Sequence, residues 1–287
     1  MKNPYSANTV NELYTMEVNK IYKEDCLEGM KKRIPDDSLD LIITDPPFNI
    51  GKQYNSPYKD KKSKEEYIKW CKKWLSECIR ILKPGGSIYL FNYPENNAYL
   101  MPFLDDKLLF KRWMTWHYPT NTGHSKYNFT RTQHSILFYI KAKKQSDCTF
   151  KKDSIAEPYR NPNDKRIKKL IEKGSKGKTP YDVFKFEYNG EDIIEMNIVK
   201  NVNKDKTEHI CQLPVKLIDI FIKASSNKNE IVFDPFMGSG TTAVAAKKNG
   251  RKYLGFELSE TYYEVINNRL KHTTSEVKLT DFKIRSS

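Results

Sequence analysis

The stretch Asp45-Pro46-Pro47-Phe48 holds the residue types best suited to chemistry in this chain. It follows Leu39-Asp40-Leu41-Ile42-Ile43-Thr44, a short apolar, β-branched run that predicts a buried strand. Such a strand end sets one carboxylate and one aromatic ring at the carboxyl edge of a sheet, where open α/β sheets bind their ligands. The two prolines lack N–H groups and fix φ, so the turn is stiff and neighbouring carbonyls stay available as acceptors. Carboxylate, carbonyl and ring together suit a flat group bearing an exocyclic amine: the oxygens accept the amine hydrogens while the ring stacks on the plane. Taken alone, the tetrapeptide reads equally well as a proline-rich turn in which Asp45 caps a helix.

A second segment shifts that balance. Phe233-Asp234-Pro235-Phe236-Met237-Gly238-Ser239-Gly240-Thr241-Thr242 follows another short apolar run, Ile231-Val232-Phe233, and leads into the helical pattern Ala243-Val244-Ala245-Ala246. Strand, glycine-rich turn and helix start make a place where backbone approaches a ligand closely. A Walker-type phosphate loop needs Gly-Lys-Ser/Thr, and a dinucleotide fold needs three spaced glycines; neither pattern is present.

The pair resembles the amino-methylating DNA methyltransferases that use S-adenosylmethionine. Their catalytic motif is Asp/Asn/Ser-Pro-Pro-aromatic and their cofactor motif Asp-Pro-Phe-x-Gly-Ser-Gly-Thr-Thr; catalytic motif first is similar to the β-class order. The resemblance implies a Rossmann-like α/β sheet of about seven strands, mostly parallel with an antiparallel edge hairpin, and an inserted target-recognition region. It implies transfer of a methyl group from S-adenosylmethionine, with S-adenosylhomocysteine as product, to the N6 amine of an adenine flipped out of double-stranded DNA. Asp45, Pro46, Pro47 and Phe48 are then the catalytic residues. Asp234, Pro235, Phe236, Gly238, Ser239, Gly240, Thr241 and Thr242 bind the cofactor. Asp25 matches the acidic residue that binds the cofactor's adenine amine, with Cys26 beside it; the competing reading is that Asp25 caps the next helix. Glu257 ends the run Lys252-Tyr253-Leu254-Gly255-Phe256, and an acid roughly twenty positions after a glycine-rich turn suits ribose hydroxyls. Gln212 lies in His209-Ile210-Cys211-Gln212-Leu213-Pro214, similar to the family's His-Pro-x-Gln-Lys-Pro; Ile210 and Leu213 depart from it. Asp at the head of the catalytic motif favours adenine over cytosine N4, where Ser is commoner. Cytosine N4 methylation, and a catalytically silent DNA-binding subunit, are the alternative readings. Restriction-modification, with a cognate restriction endonuclease and a homodimer as possible partners, belongs to the same resemblance.

Composition bounds the rest. The 287 residues carry 50 Lys+Arg against 36 Asp+Glu, a formal charge of +14, which favours polyanions: nucleic acid first, an anionic membrane surface second. The five cysteines are scattered without a Cys-x-x-Cys pair, and the histidines form no cluster with them, so free thiols and no metal are expected. No signal core or membrane-length run is visible, and a cytoplasmic location is expected. Residues 145–205 hold a lysine-rich stretch, with Lys165, Arg166, Lys168, Lys169, Lys176 and Lys178 as phosphate contacts or simply a solvated surface. The resulting division is 1–144 for the catalytic half, 145–205 for the target-recognition insertion and 206–287 for the cofactor half.

Several elements must position these groups. Asn19-Lys20-Ile21-Tyr22 predicts a strand before Asp25, and Ser63-Lys64-Glu65-Glu66 a capping box. The helix that follows buries Cys71, Trp74, Leu75, Cys78, Ile79 and Leu82, its tryptophans and cysteines serving the core, and Lys83-Pro84-Gly85-Gly86 stops it. Ser87–Phe91 is a strand, and the runs 112–116 and 135–139 an antiparallel pair at the sheet edge; His134 is read as structural. Residues 49–62 read as a polar loop, free to close over a bound base.

Overall fold

The computed structural model describes Tyr14, residues 16–52, Tyr54, and residues 56–117, 126–184 and 212–274. Its centre is β2 (Leu39–Thr44), whose Leu41 and Ile43 face one helix layer and Ile42 the other. A strand apolar on both faces belongs in the middle of a sheet, between two helix layers.

The spatial order is β1 (Lys20–Tyr22), β8 (Lys252–Phe256), β7 (Ile231–Asp234), β2, β3 (Leu82–Asn92), β5 (Gln133–Ile140), β4 (Leu109–His117) and β6 (Val183–Phe184). Pairing is parallel from β1 to β3 and antiparallel between β3, β5 and β4. The expected sheet is therefore present with one strand more. β6 runs parallel to β4 and moves the antiparallel pair one step in from the edge. Its Phe184 is buried and meets the Phe221 ring at 5.5 Å, which anchors β6 on the sheet.

One face is covered by α1 (Cys26–Arg33), α2 (Lys64–Ile81) and α3 (Pro94–Asp105). Between β5 and β6 lies α4 (Lys165–Glu172), which buries no residue. The other face is covered by α5 (Val215–Ser225) and α6 (Thr241–Lys248), with α7 (Glu260–His272) packed on α6. The expected capping box forms at Ser63 and Glu66, and Tyr67, Cys71, Trp74, Leu75, Cys78 and Ile81 are the buried stripe of α2. The segment 83–86 does more than stop that helix. It stays on the ladder through a register shift, with Leu39 opposite Leu82 and Leu41 opposite Ser87. Among the described residues no helix is long and apolar enough to cross a membrane.

The register of the central strands is pinned by Asp40. Its Oδ2 accepts the Ile231 N–H at 2.9 Å and its Oδ1 the Lys83 ammonium at 2.6 Å, so one carboxylate ties β7 and β3 to β2. At the outer side of β7, a Cβ on Gly255 would stand 2.4 Å from the Asp234 carbonyl oxygen and 2.2 Å from Met237 Cε. Gly255→Ala is expected to lower unfolding stability by about 1–3 kcal/mol, the range for overpacking. The check is a lower urea midpoint at constant m; an unchanged midpoint would show that β8 yields freely there.

Candidate active site

β7 lies beside β2 with Leu41 opposite Val232 and Ile42 opposite Phe233. Both strands run the same way, so the chain following each opens on the same sheet edge, and the two motifs line one cleft. Asp45, Pro46, Pro47 and Phe48 form one wall; residues 234–239 with Thr241 and Thr242 form the facing one. Asp25 and Cys26 reach it from the end of β1, and Glu257 from the end of β8. Two expected residues stand back from the cleft. Gly240 takes φ +81° and sits against Ile266. Gln212 is buried, and its neighbour Leu213 lines the cleft instead. Beside it, the Leu213 carbonyl accepts the Thr241 hydroxyl at 3.2 Å. His209, Ile210 and Cys211 lie outside the described residues.

Three of the carboxylates lining this space, Asp45, Asp234 and Glu257, are shielded from solvent in different conditions. Asp234 Oδ1 accepts the Phe236 N–H at 3.0 Å and Oδ2 the Thr242 hydroxyl at 2.8 Å, so it braces its own turn. Burial, reinforced by the Asp45 and Glu257 charges, holds its carboxyl well above the usual range. Glu257 accepts the Gly238 N–H and the Ser259 N–H, each at 2.8 Å, and burial pushes it up to about 7. Gly238, at φ +55°, presents that N–H from a left-handed turn. Asp45 is different: its Oδ1 is shut from solvent and has no hydrogen-bond partner. Burial raises its carboxyl to about 7, against the pull of Lys52. Asp25 is exposed and caps α1, its Oδ1 accepting the Leu27 and Glu28 N–H groups. Capping and facing the cleft coexist, since one oxygen takes both bonds. The Cys26 thiol is buried, which pushes its pKa up and keeps it protonated.

The Phe48 ring is held edge-on by His134 at 5.0 Å and tilted against Tyr93 at 5.1 Å. Burial pushes His134 down to about 3, so its imidazole is neutral. The loop after Phe48 is knitted rather than loose. Buried Asp60 accepts the N–H groups of Asn49, Ile50 and Lys52 at 2.8, 3.1 and 3.0 Å, and the Asn49 side chain bridges both backbone groups of Lys62.

Sequence reasoning missed part of the cleft. Trp70, assigned to the core, forms an aromatic wall with Phe236 at 5.5 Å while Trp74 stays buried behind it at 5.0 Å. The signal was available: Trp70 lies one helical turn from Tyr67 and from Trp74, at the border of the buried stripe. Arg269 of α7 donates to the Ser239 carbonyl at 2.6 Å and stiffens the glycine turn; nothing local in sequence marks it.

These features fit S-adenosylmethionine. An unpartnered buried acceptor and acidic walls suit a cation, Gly238 permits close backbone approach, and Trp70 and Phe236 offer flat apolar surface. The basic residues of the insertion are elsewhere. Lys165, Arg166, Lys168, Lys169 and Lys176 are exposed and none lines the cleft. Lys178 is half-buried, paired with Glu157 at 3.2 Å and stacked over Tyr181 at 3.8 Å, which leaves it less available to a phosphate than the others.

Comparison with known proteins agrees with this geometry. A family model described as DNA methylase, of the N6/N4 type, matches residues 39–268. The type II methyltransferase M.BamHI of Bacillus amyloliquefaciens is 33% identical over 290 residues, covering 96% of this chain and 62% of that protein. The chain thus spans less than two thirds of that relative's length. The DNA adenine methyltransferase YhdJ of Escherichia coli K12 is 33% identical over 258 residues, covering 88% of this chain and 83% of YhdJ. The solved structure of the PvuII DNA methyltransferase, described as cytosine-N4-specific, superposes with a TM-score of 0.63 at 20% identity, covering 94% of this chain and 92% of that one. With the catalytic-type and glycine-rich turns meeting at one sheet edge, the chain belongs to the N6/N4 DNA methylase family, a family of S-adenosylmethionine-dependent methyltransferases.

Proposed function

We propose that this protein methylates the N6 amine of an adenine turned out of duplex DNA, using S-adenosylmethionine and leaving S-adenosylhomocysteine. The observation that carries the reading is Asp45 Oδ1, a buried acceptor without a partner among the described residues, on a residue lining the same cleft as the glycine turn of the neighbouring strand. A buried, unsatisfied acceptor costs roughly 1–3 kcal/mol, more when charged, and an incoming N–H removes that cost.

Bound S-adenosylmethionine supplies an electrophilic methyl group on a sulfonium centre. An exocyclic amine is a poor nucleophile because its lone pair is delocalised into the ring. Asp45 and the Pro46 carbonyl each accept one amine hydrogen, which favours a pyramidal nitrogen with its lone pair free. As positive charge develops on that nitrogen, the Asp45 carboxylate stabilises it more than it stabilises the ground state. Phe48 stacks on the base, which a duplex exposes only when the nucleotide is flipped. Glu257 takes the ribose hydroxyls and Asp25 the cofactor's adenine amine, since a carboxylate has acceptor capacity beyond the backbone bonds each makes. Residues 234–242 form the cofactor turn, with Cys26 at the adenine end.

The leading Asp and the likeness to an adenine methyltransferase support adenine. Cytosine N4 is the second reading, because the same clamp accepts its amine. Residues 145–205 serve as target-recognition region between the halves 1–144 and 206–287, with the α4 lysines on phosphates. Duplex DNA is the partner; a cognate restriction endonuclease and a homodimer complete the proposal. Incubation with methyl-labelled cofactor and unmethylated DNA, followed by nucleoside analysis, tests it. N6-methyladenine is expected; N4-methylcytosine selects the second reading, and unlabelled DNA leaves a DNA-binding recognition subunit.

Asp45→Ala is expected to reduce kcat by ~10²–10³, the scale for one preorganised electrostatic partner, with cofactor affinity retained; near-parental turnover would contradict the clamp. The pH dependence has a definite sign. Burial lifts Asp45 from 3.8 to about 7, and the clamp needs the ionised form, so kcat/KM rises with pH up to about 7. The folded chain then binds a proton that the unfolded chain releases, so the stability linked to Asp45 is fully present below about pH 4 and lost as pH rises through about 7. Asp45→Asn should raise the thermal midpoint of the free protein at pH 8, with the gain fading towards pH 5; no gain at pH 8 would contradict the shift. Replacing Lys168 and Lys169 with Ala should weaken DNA binding and flatten its log–log salt slope by about one per lost phosphate contact. An unchanged slope would return α4 to a solvated surface.

A further inference from the structure

We infer that Tyr67, on α2 outside the cleft, is a positioning residue for the amine clamp, an inference that rests on the methyl-transfer reading. Tyr67 is 1% exposed, and its hydroxyl donates to the Pro47 carbonyl at 2.7 Å. Asn92, the buried last residue of β3, donates through Nδ2 to the same hydroxyl at 3.0 Å. Asn92 Oδ1 accepts the Tyr93 N–H and Asn96 Nδ2, both at 2.8 Å, and Asn96 Nδ2 also donates to the Phe48 carbonyl at 3.2 Å. Ser135 on β5 completes the support by donating to the Asn92 carbonyl at 2.9 Å.

Two carbonyls of the catalytic turn are thereby turned inward and occupied. Among the described residues, none donates to the Pro46 carbonyl. The network thus assigns the acceptor pair by elimination: Pro47 and Phe48 are committed to the scaffold, while Pro46 stays available beside Asp45. Prolines give the turn no N–H groups with which to hold itself, so its orientation must come from donors elsewhere. Tyr67 is the first of those donors. Its ring is set by core packing and its hydroxyl fixes the peptide plane joining Pro47 to Phe48, and hence the start of the stacking residue. A site displaced by more than about 0.5 Å from productive geometry loses rate.

Tyr67→Phe removes the hydroxyl and keeps the packed ring. The expected result is a kcat about tenfold lower in single-turnover methyl transfer, the scale of one buried hydrogen bond, with cofactor and DNA Kd values within about twofold of the parent. Asn96→Ala, which frees the Phe48 carbonyl and removes one donor to Asn92 Oδ1, should act in the same direction. Crystal structures of the parent and Tyr67→Phe give a readout independent of turnover: the Pro47 carbonyl is expected to move by more than about 0.5 Å. An unmoved carbonyl, or a kcat within about twofold of the parent in both variants, overturns the inference. If the parent transfers no methyl, the methyl-transfer reading fails, and the carbonyl position still decides whether Tyr67 orients the turn.

Discussion

Two motifs separated by most of the chain become one site because β2 and β7 pair in parallel, and that pairing is guarded by a single carboxylate. Asp40 holds the Ile231 N–H on one side and the Lys83 ammonium on the other. A one-residue slip would turn Ile42 and Phe233 out of one core and into the other. Since Leu41, Ile42, Val232 and Phe233 are all fully buried, that slip would misplace apolar surface on both faces at once. The distance between the Asp45 and Asp234 turns is therefore a property of the core, transmitted to the sheet edge by stiff strands.

The cleft concentrates acids where burial works against them, and the chain relieves two of the three. Asp234 is satisfied by its own turn and the start of α6, and Glu257 by N–H groups at Gly238 and Ser259. Asp45 keeps a shielded oxygen with no partner. Unrelieved burial of this kind is retained where the missing partner arrives with a ligand. Lys52 tempers the cost without supplying a hydrogen bond that would have to be broken. The same reasoning explains why Cys26 needs no chemical role in the proposed reaction: its thiol is buried and protonated.

What sequence reveals here follows how far each signal reaches along the chain. β2, the α2 capping box and the glycine turn were legible because each is written in consecutive residues. α3 was hidden by Pro102 in its interior, although Pro94 marks its start. β6 is two residues long and exists only because β4 offers an open edge. Arg269 became visible only when the chain closed on itself, since it acts on backbone thirty residues away.

The described residues of the loop read from sequence as free to close are tied together through its own Asp60, and the turn before it is tied to Tyr67 and Asn96. Around the clamp, then, the scaffold is preorganised, and little reorganisation is left for the reacting state. In the proposed reaction a rigid pair of oxygens reads an amine, not a base sequence, and accepts the same two hydrogens whatever neighbours the nucleotide had in the duplex. Choice of site must accordingly be made by other surfaces, before the base arrives. On the proposed reading that work falls to the segment containing α4, which buries no residue, and β6, whose Phe184 packs against the sheet. In the proposed function, chemistry is built on the buried strands and recognition on a helix that buries none of its residues, which lets one change without disturbing the other.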